Sequence, residues 1–275
     1  MNFYLRIYHA LLLITLSWSG TVFCATEQPL RIAVASNFTP VLKKLLVEFH
    51  QKTKINTQII SGATGALFLQ IKYGAPFDIF IAADSIRPAQ LEQENLILAN
   101  SRKTYAFGQL ALLSMSSLEQ PINSTEQHNK QSHEEPNNLK AQLEKSPTKF
   151  GIANPKIAPY GKAAKQTLEH LGLWHQYKPK LIQGININQT FAQIRSQAIN
   201  SGLVANSQLV LNNLTGIIIP TNYHLPIKQQ LVIINSSKKL NKAKRLSDYL
   251  LSTKVQNKII NFGYASFDVS TKDQT

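Results

Sequence analysis

The sequence predicts an α/β fold in which mainly parallel sheets are flanked by helices. Two observations indicate this class. Short apolar segments alternate with amphipathic helical segments along the chain, and the segment 78–84 is apolar throughout between its two terminal aspartates. Strands covered on both faces of a parallel sheet have such continuous apolar runs, and the alternation is typical of α/β layers. With 275 residues, the chain is long enough for two lobes with separate cores.

The first strand, turn and helix lie near the start of the chain. We predict a strand over 32–35, a polar turn over 36–37, and a helix with Thr39 as its N-cap and Pro40 at its first position. The buried helical face follows at the spacing i, i+3, i+4 and i+7, with Leu42, Leu45, Leu46 and Phe49. The N-terminus of such a helix suits an anion, although polar residues there also serve as ordinary helix caps.

The same order of strand, turn and helix recurs along the chain. Residues 55–60 predict a second strand, which ends in the turn Ser-Gly-Ala-Thr-Gly at 61–65 and continues into a helix over 66–73. Glycines in such a turn let the backbone curl closely around a small group. Further strands are predicted at 78–84, 110–113, 150–153, 181–182, 202–205, 217–219 and 231–234, and further helices at 87–96 and 162–171 and around 191–198, 243–250 and 255–262.

The order of these elements predicts two lobes. Lobe 1 comprises 26–108 plus 227–275, and lobe 2 comprises 109–226. Connections near 107–112 and 227–233 are expected to cross between the lobes and to allow a hinge motion.

Lobe 2 contains a long polar insertion at 116–147, which we interpret as a surface loop with one short helix near 139–143. His128, His133, Glu134 and Glu135 lie in it and suggest a metal site. Nothing in the sequence fixes their geometry, so a solvated insertion is favoured.

The N-terminus predicts a signal peptide over residues 1–25. Arg6 supplies positive charge, and the segment 10–23 has no charged residue and is short for a membrane span. Cleavage is expected after Cys24 or Ala25, with lipidation of Cys24 as an alternative that Phe23 does not suit. Because Cys24 is the only cysteine, an exported form of this chain relies on packed cores rather than disulfides, and thiolate metal sites are excluded.

The chain is basic, with a formal net charge of +14. Such a charge is found in proteins that bind nucleic acids or anionic membranes. Here the lysines are scattered and mostly fall on the polar faces of predicted helices, and no basic block interleaved with aromatic residues occurs. We therefore interpret the charge as a solvated surface and predict no nucleic-acid partner.

Four turns at the start of helices share one chemical character. They present neutral hydrogen-bond donors and no carboxylate, at Ser36-Asn37, Ser61 to Gly65, Pro159-Tyr160-Gly161 and Asn186 to Asn188. Ligands of open α/β sheets bind beyond the carboxyl ends of the strands, so two lobes could bring these turns to one cleft. Neutral donors and helix dipoles can hold a dianion without a counter-ion. A fully deprotonated tetrahedral dianion should be preferred, because a protonated one would leave its proton poorly paired.

These segments resemble those of a known family. The sequences AVASNFTPVLKKL, SGATGALFLQI, GAPFDIFIAAD, GIANPKIAPYGKAA and GININQTF are similar to the periplasmic molybdate-binding proteins of ABC transporters, which are extracellular solute-binding proteins. The resemblance covers essentially the whole chain after the signal peptide. It implies a type II-like, two-lobed periplasmic binding-protein fold, with molybdate or tungstate in the cleft between the lobes.

The resemblance also implies a set of ligand contacts. Ser36, Asn37, Thr64, Tyr160 and Ile187 match the family's oxyanion-binding positions, Ile187 through its backbone N–H. The metal is thus held only as the oxyanion, without direct ligation, and no cofactor is implied. Ala205 stands where another branch of the family has a tyrosine. Thr64 replaces the usual serine and adds a methyl group near the anion.

By resemblance, the chain is expected to be a monomeric periplasmic protein that captures molybdate or tungstate and delivers it to a membrane permease. Rival hypotheses are binding of another oxyanion such as sulfate, or of a ferric complex through tyrosines. An exported hydrolase or phosphotransferase lacks support, because no G-x-S-x-G motif occurs and the near-match to a P-loop at 160–163 ends in alanine. A basic module that binds nucleic acids or surfaces is a third alternative.

Overall fold

The computed structural model describes residues 28–115, 136–144 and 148–266, which contain two open five-stranded sheets. The first sheet contains β1 (Leu30–Ala35), β2 (Thr57–Gly62), β3 (Ile79–Ile81), β4 (Lys103–Gly108) and β10 (Ile227–Ile233). Its spatial order is β2-β1-β3-β10-β4. Strand β1 is parallel to β2 and β3, whereas β10 is antiparallel to both β3 and β4.

The second sheet has the same pattern of directions. It contains β5 (Leu110–Ser114), β6 (Phe150–Ala153), β7 (Leu181–Gly184), β8 (Ser201–Ala205) and β9 (Ile217–Ile218), in the spatial order β7-β6-β8-β5-β9. Strand β6 is parallel to β7 and β8, and β5 is antiparallel to β8 and β9. Each sheet is therefore mixed, because the strand that links it to the other lobe runs against its neighbours.

Helices cover these sheets. They are α1 (Thr39–Thr53), α2 (Thr64–Lys72), α3 (Ile86–Gln93), α4 (Pro136–Glu144), α5 (Pro159–His170), α6 (Trp174–Tyr177), α7 (Ile187–Arg195), α8 (Asn206–Leu211), α9 (Leu240–Leu251) and α10 (Thr253–Asn261). Short 3₁₀ turns occur at Lys178–Lys180 and Thr221–Tyr223. Within the ranges the structure describes, none of these helices combines the length and apolar character needed to cross a bilayer.

Strand β1 is buried on both faces, as its apolar sequence predicts. Ile32 and Val34 pack into one cluster with the apolar face of α1 and with residues of α9 and α10, whereas Ala33 packs into a second cluster with Leu67 of α2. The predicted face of α1 is buried at Leu42, Leu45, Leu46 and Phe49. Burial of each such side chain stabilises the fold by about 1.5–3 kcal/mol.

The two-lobed α/β fold is confirmed, and several local predictions need correction. Helix α1 begins at Thr39 with Phe38 as its N-cap. Thr39 is instead the first helical residue, and its hydroxyl contacts the Ser61 hydroxyl at 2.7 Å. Strand β4 and helices α6 and α8 were not predicted, and α5 begins at Pro159, three residues earlier than expected. A proline suits this first helical position, where its missing N–H costs no hydrogen bond.

The short helix predicted near 139–143 of the polar insertion is present as α4, and it packs into the second lobe instead of lying on its surface. Leu139 and Leu143 of α4 are buried in the core of the second lobe, and the Tyr177 hydroxyl donates to the Leu143 carbonyl oxygen at 2.5 Å. These two leucines, four residues apart, form an apolar stripe that is too short to stand out in a polar segment. The rest of the insertion, including the histidines and glutamates that suggested a metal, lies outside the described residues, as does the predicted signal peptide.

Candidate functional site

The five predicted ligand residues line one small cavity between the lobes. Ser36, Asn37 and Thr64 come from the first lobe, and Tyr160 and Ile187 come from the second. The cavity has a free volume of about 10 Å³. Pockets for organic ligands start at roughly 300 Å³, so this cavity suits a small ion better than an organic solute.

The turn after β1 contributes two donors to this cavity. Ser36 and Asn37 are both almost completely buried. The Ser36 N–H donates to the Gly62 carbonyl oxygen at 2.9 Å, and the Phe38 N–H donates to the Ala35 carbonyl oxygen at 2.9 Å. In the part of the chain that the structure describes, the Ser36 hydroxyl and the Asn37 N–H have no protein partner. These two groups can therefore donate to an anion.

The turn before α2 has a second hydroxyl with a defined direction. The Oγ1 atom of Thr64 accepts a hydrogen bond from the Ala83 N–H at 3.0 Å, which leaves the hydroxyl proton to donate elsewhere. The Thr64 N–H has no acceptor among the described residues, and the Gly65 N–H donates across the cleft to Ile157 at 2.9 Å. Helix α2 thus offers Thr64 to the cavity and uses Gly65 to join the lobes.

Tyr160 lies in the first turn of α5 and is buried. Its hydroxyl oxygen accepts a hydrogen bond from Nε2 of Gln229 at 3.2 Å. Burial raises the pKa of Tyr160 well above its ordinary value of 10, so the phenol stays neutral and keeps its proton. The next residue must be glycine, because a Cβ on Gly161 would lie 2.2 Å from the Ala153 carbonyl oxygen. This close approach places the start of α5 against the end of β6.

The start of α7 leaves one backbone donor available. The Asn186 side chain caps the helix and accepts hydrogen bonds from the N–H groups of Asn188 at 3.0 Å and Gln189 at 3.1 Å. The Ile187 N–H has no acceptor within the described residues. Gln208 holds this turn, because its Nε2 donates to Oδ1 of Asn188 at 2.8 Å. The cap therefore leaves the Ile187 N–H available, and this is the group that the family resemblance predicts as a ligand contact.

The sequence interpretation missed the polar groups behind these residues. Gln229, Tyr105, Tyr264 and Gln208 are all buried, and the first three form hydrogen bonds that connect to Asn37 or Tyr160. One signal was available for Gln229, since Gln229-Gln230 is a polar pair inside the apolar strand sequence IKQQLVI. The partners of that pair are distant in sequence and could not be identified.

Cations lie at the rim of the site rather than inside it. A larger cavity of about 550 Å³ shares Ala83, Ala158 and Pro159 with the small one. Its lining includes Arg87, Lys156, Lys162 and Lys228. The five predicted ligand residues have no charged side chain, so the cavity itself holds neutral donors only. An arriving anion would thus pass basic residues before it meets neutral donors.

The acidic residues near the cleft have structural roles. Asp78 accepts hydrogen bonds from the Arg31 N–H at 2.7 Å and from the Ser237 hydroxyl at 2.6 Å, and Asp84 forms an ion pair with Arg87. Across residues 28–115, 136–144 and 148–266, no group of three or more His, Cys, Asp or Glu residues is placed to hold a metal ion. Both aspartates are therefore occupied by contacts within the protein.

Comparisons with known proteins agree with this geometry. The family model described as bacterial extracellular solute-binding protein matches residues 30–265. The chain is 36% identical over 252 residues to the molybdate-binding protein ModA of Azotobacter vinelandii, covering 90% of this chain and 94% of that protein. It is 31% identical over 235 residues to ModA of Rhodobacter capsulatus, covering 85% of this chain and 87% of that protein.

A solved structure shows the same architecture. The periplasmic molybdate-binding protein of Azotobacter vinelandii superposes with a TM-score of 0.74 at 30% identity, covering 86% of this chain and 99% of that chain. The substrate-binding domain of a molybdenum ABC transporter protein from Clostridium difficile, itself described as putative, gives a TM-score of 0.63 at 25% identity, covering 86% and 98%. The two-lobed arrangement is therefore shared with proteins of this kind.

Proposed function

The chain belongs to the bacterial extracellular solute-binding protein family, and from that premise we propose that it is the periplasmic molybdate-binding component of an ABC importer. It captures the oxyanion between its lobes and delivers it to the membrane permease. One observation carries the proposal. Helix starts from both lobes meet at one small buried cavity, and the groups they leave available there are neutral hydrogen-bond donors.

We assign the ligand contacts on this basis. The hydroxyl groups of Ser36, Thr64 and Tyr160 and the backbone N–H groups of Asn37 and Ile187 donate to the oxygens of the anion. Hydrogen bonds to a charged acceptor are stronger than those between neutral groups, so five such donors can replace the water around a dianion. Four helix N-termini add their dipoles. The metal is bound only as its oxyanion.

The proposal also covers tungstate, the oligomeric state, export and the lobe boundaries. Tungstate has the same shape and charge as molybdate, and we propose that the site accepts both. The protein acts as a monomer without catalytic activity. Segment 1–25 directs its export, and the lobes divide as 26–108 plus 227–275 and 109–226.

Calorimetry of the chain after removal of residues 1–25 tests this function. Molybdate, tungstate, sulfate and phosphate are titrated at one pH and one ionic strength. Molybdate and tungstate should bind one to one and much more tightly than sulfate or hydrogen phosphate. Equal affinity for sulfate, or heat without saturation for all four anions, would contradict the proposal.

A further inference from the structure

Gln229 lies behind the ligand cavity, at the point where β10 passes between the lobes. Its side chain is fully buried. Its Oε1 atom accepts hydrogen bonds from Nδ2 of Asn37 at 3.0 Å and from the Tyr105 hydroxyl at 2.8 Å, and its Nε2 donates to the Tyr160 hydroxyl at 3.2 Å. One amide therefore joins a ligand residue of the first lobe to a ligand residue of the second.

Tyr264, which contacts Asn37 on the side away from Gln229, determines which group donates in each of these hydrogen bonds. The Tyr264 hydroxyl has one proton, which it donates to the Asn37 carbonyl oxygen at 3.3 Å. Its oxygen therefore accepts from Nδ2 of Asn37, at 3.2 Å. This contact orients the Asn37 amide so that its second N–H points to Gln229. Gln229 must then present its oxygen to Asn37, which leaves its NH₂ group facing Tyr160.

These hydrogen bonds make the Tyr160 hydroxyl a donor toward the cavity. Because its oxygen accepts from Gln229, its own proton is left for the cavity, and among the described residues no protein group accepts it. Both hydrogens of the Asn37 amide are likewise used, by Gln229 and Tyr264. The cavity-facing phenol is thus a donor and not an acceptor.

We propose that Gln229 is the positioning residue that determines which protonation state of an oxyanion the site accepts. By holding the Tyr160 hydroxyl as a donor, it favours fully deprotonated dianions and disfavours anions that keep a proton, such as hydrogen phosphate. A protonated oxygen facing Tyr160 would place two donors against each other. This inference rests on the proposed function, because it concerns the same cavity.

The Gly108 backbone packs closely against the hydrogen bond between Gln229 and Tyr160. A Cβ built on Gly108 would lie 2.3 Å from the Tyr160 hydroxyl and 2.7 Å from Nε2 of Gln229. The glycine therefore leaves room for this hydrogen bond where the chain crosses between the lobes. The Gly108 backbone thus lies close against the pair, and the Tyr105 hydroxyl holds the Oε1 atom of Gln229.

Substitution of Gln229 by methionine tests the proposal, because methionine keeps the approximate volume and removes the amide. Tyr160 is then free to accept as well as donate. Molybdate affinity should fall about tenfold, as expected when a buried polar group loses its partner. The affinity for hydrogen phosphate, measured by displacement of molybdate, should stay unchanged or rise. The ratio of the two affinities should narrow by about tenfold or more.

Gln230→Met is the matched control. Gln230 is the next residue of β10, is also buried, and bonds to Thr104 and Arg102 instead of to the ligand residues. Its substitution should leave the affinity ratio unchanged. An unchanged ratio in Gln229→Met, or an equal fall for both anions, would overturn the inference. Failure of the unsubstituted protein to bind molybdate would instead overturn the proposed function.

Gln229→Glu provides a second test if the methionine variant does not fold. A carboxylate has no N–H, so Tyr160 would donate to it and not to the ligand. Molybdate affinity should be lost at pH 8 and should recover toward pH 5.5, because a protonated glutamic acid can again donate to Tyr160. Gln230→Glu should show no such recovery. A pH-independent loss in Gln229→Glu would count against the proposal.

Discussion

The backbone N–H of Gly65 and the carbonyl oxygen of Ile157 lie 2.9 Å apart and form a direct hydrogen bond between the lobes beside the ligand cavity. Nearby, Nη2 of Arg87 donates to the Lys156 carbonyl oxygen at 3.2 Å. These two contacts join the start of α2 and the start of α3 to the turn before α5. They stabilise this arrangement of the lobes, and the proposed hinge motion would break them.

Replacement of Gly65 by valine should weaken this closed arrangement. A Cβ at this position would lie 3.0 Å from Arg87 and 3.1 Å from the Ile157 Cα, so the lobes must separate slightly. We expect molybdate to dissociate about tenfold faster, since a loss of about 1.4 kcal/mol corresponds to a factor of ten. Stopped-flow fluorescence measures the rate. Leu69→Val, on the exposed side of the same helix, should have no effect.

Ser36→Ala should remove one donor without disturbing the fold. The hydroxyl has no protein partner in the described ranges, so nothing in the protein loses a hydrogen bond. A hydrogen bond to a charged group contributes about 1.5–3 kcal/mol, and the Kd for molybdate should rise by roughly 10- to 150-fold. Calorimetry measures this change. Ser196→Ala, at an exposed serine of α7's C-terminal end, should leave Kd unchanged, and a similar loss there would argue against a specific contact.

Two substitutions at Thr64 separate its hydroxyl from its methyl group. Thr64→Ser keeps the oxygen that accepts from the Ala83 N–H, so binding and stability should stay close to those of the unsubstituted protein. Thr64→Val keeps the shape but leaves that buried N–H without a partner, and it also removes the donor to the ligand. We expect a fall of about 1–3 kcal/mol in the free energy of unfolding together with weaker binding. Thermal melts and calorimetry check both effects.

The behaviour at high pH follows from three buried tyrosines. Burial raises the pKa of Tyr105, Tyr160 and Tyr264 above the ordinary value of 10. In the unfolded chain these phenols ionise near pH 10, so the unfolded state loses protons first and stability declines as pH rises above about 10. Below that pH their contribution is constant, and molybdate affinity should not change between pH 7 and 9 through these groups.

Tyr105→Phe checks this prediction, because it removes one of the three ionisable phenols. Between pH 9 and 11.5, the melting temperature of the variant should fall less steeply than that of the unsubstituted protein. Tyr73→Phe is the control, since Tyr73 is 87% exposed and its substitution leaves the buried phenols in place. Equal slopes for all three proteins would show that the buried phenols do not govern alkaline unfolding.

The basic rim predicts a salt-dependent association rate. Lys156, Lys162 and Lys228 line the outer cavity, and replacing all three by glutamine should slow molybdate binding several-fold at low ionic strength while leaving its dissociation rate unchanged. Stopped-flow measurements over a range of salt concentrations test this. The exposed lysines Lys43, Lys44 and Lys238 line neither cavity, so their joint replacement is a control of equal charge. Equal slowing in both triple variants would point to net charge alone.

Local sequence patterns predicted the strands and helices around the cavity, but they did not predict the buried polar residues behind it. Ser36 and Asn37 follow an apolar strand and precede an amphipathic helix, so short-range periodicity was enough to place them. Ile187 is different, because an aliphatic side chain gives no sign of a useful backbone donor. Its position was available only through the family resemblance, and the structure adds the reason in the cap formed by Asn186.

The polar network behind the cavity could not be predicted from the sequence. Asn37 and Gln229 are 192 residues apart, and Asn37 and Tyr264 are 227 residues apart. Their contacts depend on how β10 and the C-terminal segment return to the first lobe, which no local pattern encodes. The direction of β10 was missed for the same reason. Alternation of strands and helices indicates parallel pairing, whereas a strand that returns from the other lobe is free to run the opposite way.

The position of β10 also has a consequence for the order in which the chain folds. Among the described residues this strand is the last in sequence, yet it lies between β3 and β4, which come far earlier. Before β10 takes its place, β3 and β4 therefore each expose an unpaired strand edge. The second sheet, whose strands are all contiguous in sequence, can assemble sooner. In this molecule the lobe that begins the sequence is the one that must finish folding last.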